Sequence, residues 1–194
     1  MVAYFSMEVA LDSAMPTYAG GLGVLAGDFV HAAADPGVPV VAVTLLHRKG
    51  YFRQQLDGAG RQHEEPLDWP IEEYVRPLSA RIKVSIGGRQ VAVRAWERKA
   101  TGVGGAGVPV YFLDTDLPEN AADDRTLTHF LYGGDVPYRL AQEIVLGIGG
   151  VRMLRALGHE QIDRFHLNEG HSALLVMELL AERLRASGRR GDSG

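Results

Sequence analysis

The sequence has no cysteine, so neither a disulfide framework nor a thiolate metal site is open to it. It has no apolar run approaching the span of a bilayer. Its start, "MVAYFSMEV", lacks the basic flank and long apolar stretch of a secretion signal. These absences predict a soluble, cytoplasmic chain with no membrane partner. A dominant charge is missing too: 20 Lys and Arg are mixed among 24 Asp and Glu, for a net charge of −4, which speaks against nucleic acid. There is no internal repeat. What is present is a chain of 194 residues, 46% hydrophobic and 23% charged, enough for one domain with its own core or one lobe of something larger.

The order of segments predicts an α/β fold. "VAYFSM" (2–7) reads as a short strand, and a loop through Pro16 leads to a helix from about Leu22, ended by "DPG" at 35–37. "VPVVAVTLL" (38–46) is short and nearly all apolar, as a strand covered on both faces must be. Strand, helix and buried strand make a βαβ unit, hence a parallel sheet. Residues 51–107 change character. "GG" at 87–88 lies between the alternating runs "ARIKVSI" and "RQVAVRAW", so this stretch reads as an antiparallel, hairpin-rich excursion. "TGVGGAG" (101–107) reads as a hairpin loop, and "VPVYFLDTD" resumes the sheet. The final third predicts a long helix, a strand at "RFHLN", and a helix in which Leu174, Met177, Ala181 and Leu184 share a core-facing side.

Two clusters carry chemistry. In "YAGGLGVLAGD" (18–28), glycines stand where a helix begins, as they do where backbone N–H groups approach a ligand closely. "GLGVLA" fits the G-x-G-x-x-G/A pattern, but "EVALDSAMPTYA" separates it from the strand and the next strand ends in "LLHRKG" without a carboxylate, so a dinucleotide site is disfavoured. An anion or sugar-phosphate site at the helix N-terminus and a glycine cluster serving only helix–sheet packing both stay open. The second cluster, "FHLNEGHSALL" (165–175), puts Asn168, Glu169, Gly170 and His171 where a strand hands over to a helix. Its His-x-x-Glu-x-His spacing is not that of a zincin and no third ligand is evident, so no metal is expected; Asn168 or Glu169 as a simple helix cap is the plain alternative. Acidic loops at "EPLDWP" and "LPENAADD" read as solvated, "GIGG" (147–150) as a site of close helix packing, and Arg-Gly-Asp in the tail as a chance tripeptide.

Taken together, the segments from about Ala3 to Leu184 resemble the bacterial branch of the α-glucan phosphorylases, the glycogen, starch and maltodextrin phosphorylases. The likeness runs through "AYFSMEVALDSAMPTYAGGLGVLAGDFVHAAADPGVPVVAVTLLHRKGYFRQQLDGAGRQHEE", "LYGGD", "RLAQEIVLGIGGVRMLRALG" and "FHLNEGHSALLVMELL", in order and at matching spacing. The resemblance implies a doubly wound parallel-sheet lobe of a two-lobed, GT-B type glycosyltransferase. It implies transfer of a terminal glucosyl unit of an α-1,4-glucan to inorganic phosphate, giving α-glucose 1-phosphate, with a pyridoxal 5′-phosphate cofactor held by a lysine of the C-terminal lobe. It implies that Gly20, Gly21, Leu22 and Gly23 meet the glucosyl and phosphate groups through backbone N–H, and that Glu8 supports their loop. Glu169 and His171, with Asn168 beside them, would line the glucan side of the cleft.

The chain also departs from the family pattern. Val9 replaces an aromatic residue after the "SxE" triplet, "DPGVPV" replaces a Leu-Gly step, and "DVPYRL" a more polar stretch. The match stops before a "THT" segment and the cofactor lobe, and Lys49, Lys83 and Lys99 lie in the wrong context for the cofactor lysine. The expectation is therefore a partial N-terminal lobe over 1–187 with a disordered tail at 188–194, no catalytic residue of its own, and no phosphorolysis alone. Full-length members are commonly homodimers. Two other readings remain: a nucleotide-sugar glycosyltransferase lobe resembling glycogen synthase, whose lysine before the glycine loop is Ala19 here, and a non-catalytic glucan-binding module.

Overall fold

A computed structural model describes residues 1–65 and 67–191. Its main sheet has six strands, in the spatial order Arg76–Ile86, Arg89–Thr101, Gly107–Asp114, Val40–Leu45, Val2–Phe5 and Arg164–Leu167. β1 (Val2–Phe5) lies between β2 (Val40–Leu45) and β8 (Arg164–Leu167), parallel to both, and β2 runs parallel to β7 (Gly107–Asp114). β5 (Arg76–Ile86) and β6 (Arg89–Thr101) are antiparallel and continue the same sheet through β7. The parallel reading thus holds for four strands, and most of the hairpin excursion is built into the sheet rather than set apart from it. The long apolar alternation of β6 lets it pair with β7 from Thr101–Gly107 to Arg94–Asp114. Only the hairpin of β3 (Arg53–Leu56) and β4 (Gln62–Glu65) forms a separate two-stranded sheet.

Helices cover both faces, and the period-two alternation of the strands decides which side chains meet which helix. Tyr4, Val40, Ala42 and Phe112 pack under Ala26, Val30 and Ala33 of α1 (Gly21–Ala34). Leu25 of the same helix is mostly exposed. On the other face Ala3, Phe5, Val41 and Val43 meet Val145, Leu146, Val151 and Leu154. That second layer is one continuous helical run: α4 (Val136–Ile144), a π-helical turn at Val145–Gly149, and α5 (Gly150–Ala156). The "GIGG" glycines act here as packing residues. A Cβ at Gly150 would lie 2.5 Å from the Phe5 ring, and one at Gly147 2.7 Å from the Leu175 amide nitrogen. The short helix α2 (Ile71–Tyr74) lies between β4 and β5, and α3 (Ala122–Arg125) between β7 and α4.

The last helix, α6 (Leu175–Gly191), overturns one expectation. Met177 and Leu184 are 58% and 64% exposed, so the 174/177/181/184 side is not the core side. Leu175 and Leu179 face the core instead, flanked by carboxylates. Glu178 pairs with Arg152 of α5 and with Arg185 of its own helix, and Glu182 pairs with Arg155 of α5; the two pairs that reach α5 set the helix's rotation. The helix is apolar on two sides, and periodicity alone does not choose between them. α6 also runs past residue 187 to Gly191; the remainder of the expected tail, 192–194, lies outside the described residues. Among the described residues, no helix is long and apolar enough to cross a membrane.

Candidate functional site

The site forms at the carboxyl ends of β1 and β8, where open α/β sheets present their ligand crevice. β1 ends at Phe5 and the chain turns outward: the Ser6 hydroxyl donates to the Glu8 carbonyl at 2.6 Å. Residues 9 to 17 then close on themselves, with the Val9 N–H donating to the Thr17 carbonyl and the Thr17 hydroxyl donating back to the Val9 carbonyl. This closed loop delivers the chain to the start of α1 directly above Glu8.

Glu8 is 3% exposed, and every donor that reaches its carboxylate among the described residues is neutral. Oε2 accepts from the Ala19 and Gly20 amides at 2.6 and 3.3 Å, and Oε1 accepts from the Tyr132 hydroxyl at 3.0 Å. The first turn of α1 then folds onto Gly20, whose carbonyl accepts from the Gly23 and Val24 amides. That leaves the N–H groups of Gly21 and Leu22 without a partner among the described residues, at the positive end of a fourteen-residue helix.

The four glycines of this segment divide into two pairs. A Cβ at Gly27 would lie 2.0 Å from the Ala10 carbonyl oxygen, and one at Gly23 2.4 Å from the Tyr18 Cβ and 2.8 Å from Glu8 Oε2. Packing therefore requires both. A Cβ at Gly20 or Gly21 would meet nothing within 4 Å. Gly20 has an extended backbone (φ −165°) open to any residue, and Gly21 is helical. Neither conformation nor contact among the described residues requires a glycine at 20 or 21.

The "NEGH" segment joins the same rim. The Asn168 side chain donates to the Ser6 hydroxyl at 3.1 Å and to the Leu22 carbonyl at 3.3 Å, tying β8 to the first turn of α1. It caps no helix. Glu169 makes no side-chain cap bond either; it is exposed and held at φ +65°, a strained backbone for a residue with a side chain. His171 sits in the 3₁₀ turn Gly170–Ser172, with Nδ1 3.3 Å from Glu143 Oε1. His166 faces the other way, its ring 4.9 Å from that of Tyr4, so the two histidines of "HLNEGH" diverge across the sheet. No group of three or more metal-ligating side chains occurs among the described residues.

Tyr132 is the member of this cluster that sequence reasoning missed. It is held at φ +55°, donates to Glu8, and lies 5.6 Å from the His171 ring, so it links the two halves of the rim. Burial first, and then the charge of Glu8, raise the pKa of its hydroxyl far above the ordinary tyrosine value, so it stays a donor at every physiological pH. The available signal was the Gly133–Gly134 pair after it, followed by Asp135, whose side chain accepts from the Tyr138 amide to cap α4.

A second buried carboxylate stands at the end of β7. Asp114, 0% exposed, accepts from Arg48, Arg94, the Trp96 ring nitrogen and the Thr128 hydroxyl. Burial alone would raise its pKa, but Arg48 and the other donors outweigh that and hold it at about 2. Nearby, His47 lies fully buried at φ +49°, its Nε2 2.8 Å from the Met7 carbonyl and its Nδ1 unpartnered among the described residues. Burial lowers its pKa to about 4.

A mixed sheet with helices on both faces and a polar crevice at its carboxyl edge is the architecture of a ligand-binding α/β domain. Comparison with known proteins narrows the class. No family model matches the chain. Over 187 residues, 93% of the chain, it is 42% identical to a maltodextrin phosphorylase of Thermococcus litoralis. It is 39% identical over 96% of its length to a glycogen phosphorylase of Mycobacterium tuberculosis, and 31% identical over 91% to one of Aquifex aeolicus. Over nearly all of its length the chain is similar in sequence to glycogen and maltodextrin phosphorylases, and it spans 22% to 26% of the length of these relatives.

Proposed function

We propose that this chain supplies the glucosyl- and phosphate-facing wall of an α-glucan phosphorylase, within one lobe of a two-lobed GT-B type enzyme. The observation that carries the reading is the pair Gly20 and Gly21. Among the described residues their lack of side chains relieves no contact, and the Gly21 and Leu22 N–H groups have no partner beside them. Bare backbone at a helix start suits close approach by a phosphate or sugar oxygen. Glu8 holds the loop through two amides, and Asn168 holds its first turn through the Leu22 carbonyl, so the free amides are fixed before a ligand arrives. Preorganised amides of this kind stabilise developing negative charge without reorganising. Glu169 and His171 on the same rim would face the glucan, with the Tyr132 hydroxyl fixed between the two groups.

The family implies pyridoxal 5′-phosphate, and the residues present do not fit it. Lys49 is paired with Asp68, and Lys83 and Lys99 are exposed on β5 and β6. None belongs to the rim, so no step through the cofactor is assigned to this chain. Its role is to bind, orient and stabilise. Titration of the isotope-labelled chain with α-glucose 1-phosphate should shift the Gly21 and Leu22 amide resonances, and no glucose 1-phosphate should form when maltoheptaose and phosphate are supplied to the chain alone. Unmoved amides would overturn the binding role, and product formation would overturn the division of labour. The glycogen-synthase-like and binding-module readings predict, respectively, a preference for a nucleotide sugar and glucan affinity with silent glycine amides.

A further inference from the structure

His47 combines two features that each weaken a fold. It stands just past the end of β2 at φ +49°, a strained backbone for a residue with a side chain, and its imidazole is fully buried. Nε2 lies 2.8 Å from the Met7 carbonyl, which only accepts, so Nε2 carries the ring proton and Nδ1 is the bare nitrogen. Nδ1 has no partner among the described residues. An apolar side chain would fill the same space without burying a bare nitrogen, so packing alone does not account for a histidine here.

The backbone on either side of the ring is pinned. The Leu46 N–H donates to the Leu113 carbonyl at 2.9 Å and the Arg48 N–H to the Thr128 carbonyl at 3.1 Å. The His47 carbonyl accepts from the Gly50 N–H at 2.9 Å and from the Trp69 ring nitrogen at 3.2 Å. The ring is therefore aimed before it meets its acceptor. Met7 immediately precedes Glu8, and its carbonyl also accepts from the Thr44 hydroxyl of β2 at 3.3 Å. The turn that carries Glu8 away from β1 is thus tied back to β2 at Met7. Glu8 in turn holds the Ala19 and Gly20 amides, so a continuous route runs from His47 through Met7 and Glu8 to the glycine loop.

We propose that His47 is a positioning residue for the glycine loop, its Nε2–H fixing the Met7–Glu8 turn so that the Glu8 carboxylate meets the Ala19 and Gly20 amides. It acts through Glu8 and meets no ligand itself; its consequence for binding rests on the reading of Gly21 and Leu22 as ligand amides. In the ligand-free 194-residue chain, His47→Leu should speed hydrogen exchange at Ala19 and Gly20 about threefold to tenfold, the worth of one hydrogen bond, and leave α4 and α5 unchanged. His47→Gln, whose side-chain amide can donate from nearly the place of Nε2, should stay within about twofold. α-Glucose 1-phosphate should bind His47→Leu about threefold to tenfold more weakly than the parent, and His47→Gln about as the parent does. If His47→Leu fails to fold, His47→Asn takes its place with the same expectation, being at ease at positive φ but too short to reach Met7. The proposal is overturned if exchange at Ala19 and Gly20 is unchanged, if His47→Gln behaves like the variants without the donor, or if nitrogen-15 spectra of the parent put the ring proton on Nδ1. Gly21 and Leu22 unmoved by α-glucose 1-phosphate, with the exchange pattern as expected, would uphold the positioning role and overturn the ligand reading instead.

Discussion

Two buried carboxylates stand at the carboxyl ends of the sheet, and they are satisfied in opposite ways. Asp114 is neutralised by two guanidinium groups. Among the described residues Glu8 is held by two amides and a phenol, all neutral donors, with no cation paired to it. The first arrangement closes a structure: every strong donor around Asp114 is used, and it clamps β2, β6 and β7 together. The second positions a loop and leaves the adjoining amides of Gly21 and Leu22 unspent. A buried charge with cationic partners holds a fold together, whereas one with neutral partners can also shape the field of a site.

The contrast breaks first at Asp114. Asp114→Ala leaves Arg48 and Arg94 in a partly buried setting without their common partner, and should cost about 3–5 kcal/mol in chemical denaturation. Glu8→Gln keeps one carbonyl acceptor for neutral donors and should cost only about 1–2 kcal/mol. Equal losses would show that the two carboxylates do the same job.

The next effect is on pH. His47 titrates near 4 in the fold against an ordinary 6.5, so the unfolded chain binds its proton first. Its contribution is complete above about pH 6.5 and is lost as pH falls toward 4. The free energy of unfolding should drop by about 2 kcal/mol between pH 7.5 and 5, and His47→Gln should flatten that limb. Asp114 adds a separate loss only below its ordinary 3.8, as pH falls toward 2. An unchanged slope in His47→Gln would remove His47 from the account.

Much of this was legible beforehand because it rests on local pattern. The βαβ start, the hairpin turn at Gly87–Gly88 and the packing glycines of "GIGG" follow from chain-local rules. The glycine segment was legible as a candidate because its glycines stand where a helix begins, and "NEGH" because it sits where a strand hands over to a helix. Their direct link, the bond from Asn168 to the Leu22 carbonyl, spans 146 residues and has no local signal. Tyr132 was missed for the same reason: its partner Glu8 lies 124 residues away. The rotation of α6 was misread because Glu178 and Glu182 face inward to arginines, reversing the usual rule that charge marks the solvent side.

The smallest expected change in stability carries the sharpest test. Because a Cβ at position 21 meets nothing and alanine is the better helix former, Gly21→Ala should leave stability unchanged or raise it by up to about 1 kcal/mol. The same methyl should obstruct whatever approaches the bare backbone. Measured together on one sample, denaturation and α-glucose 1-phosphate titration should show an intact or firmer fold with binding lost. A variant that binds as the parent does would contradict the claim that this backbone is kept bare for a ligand.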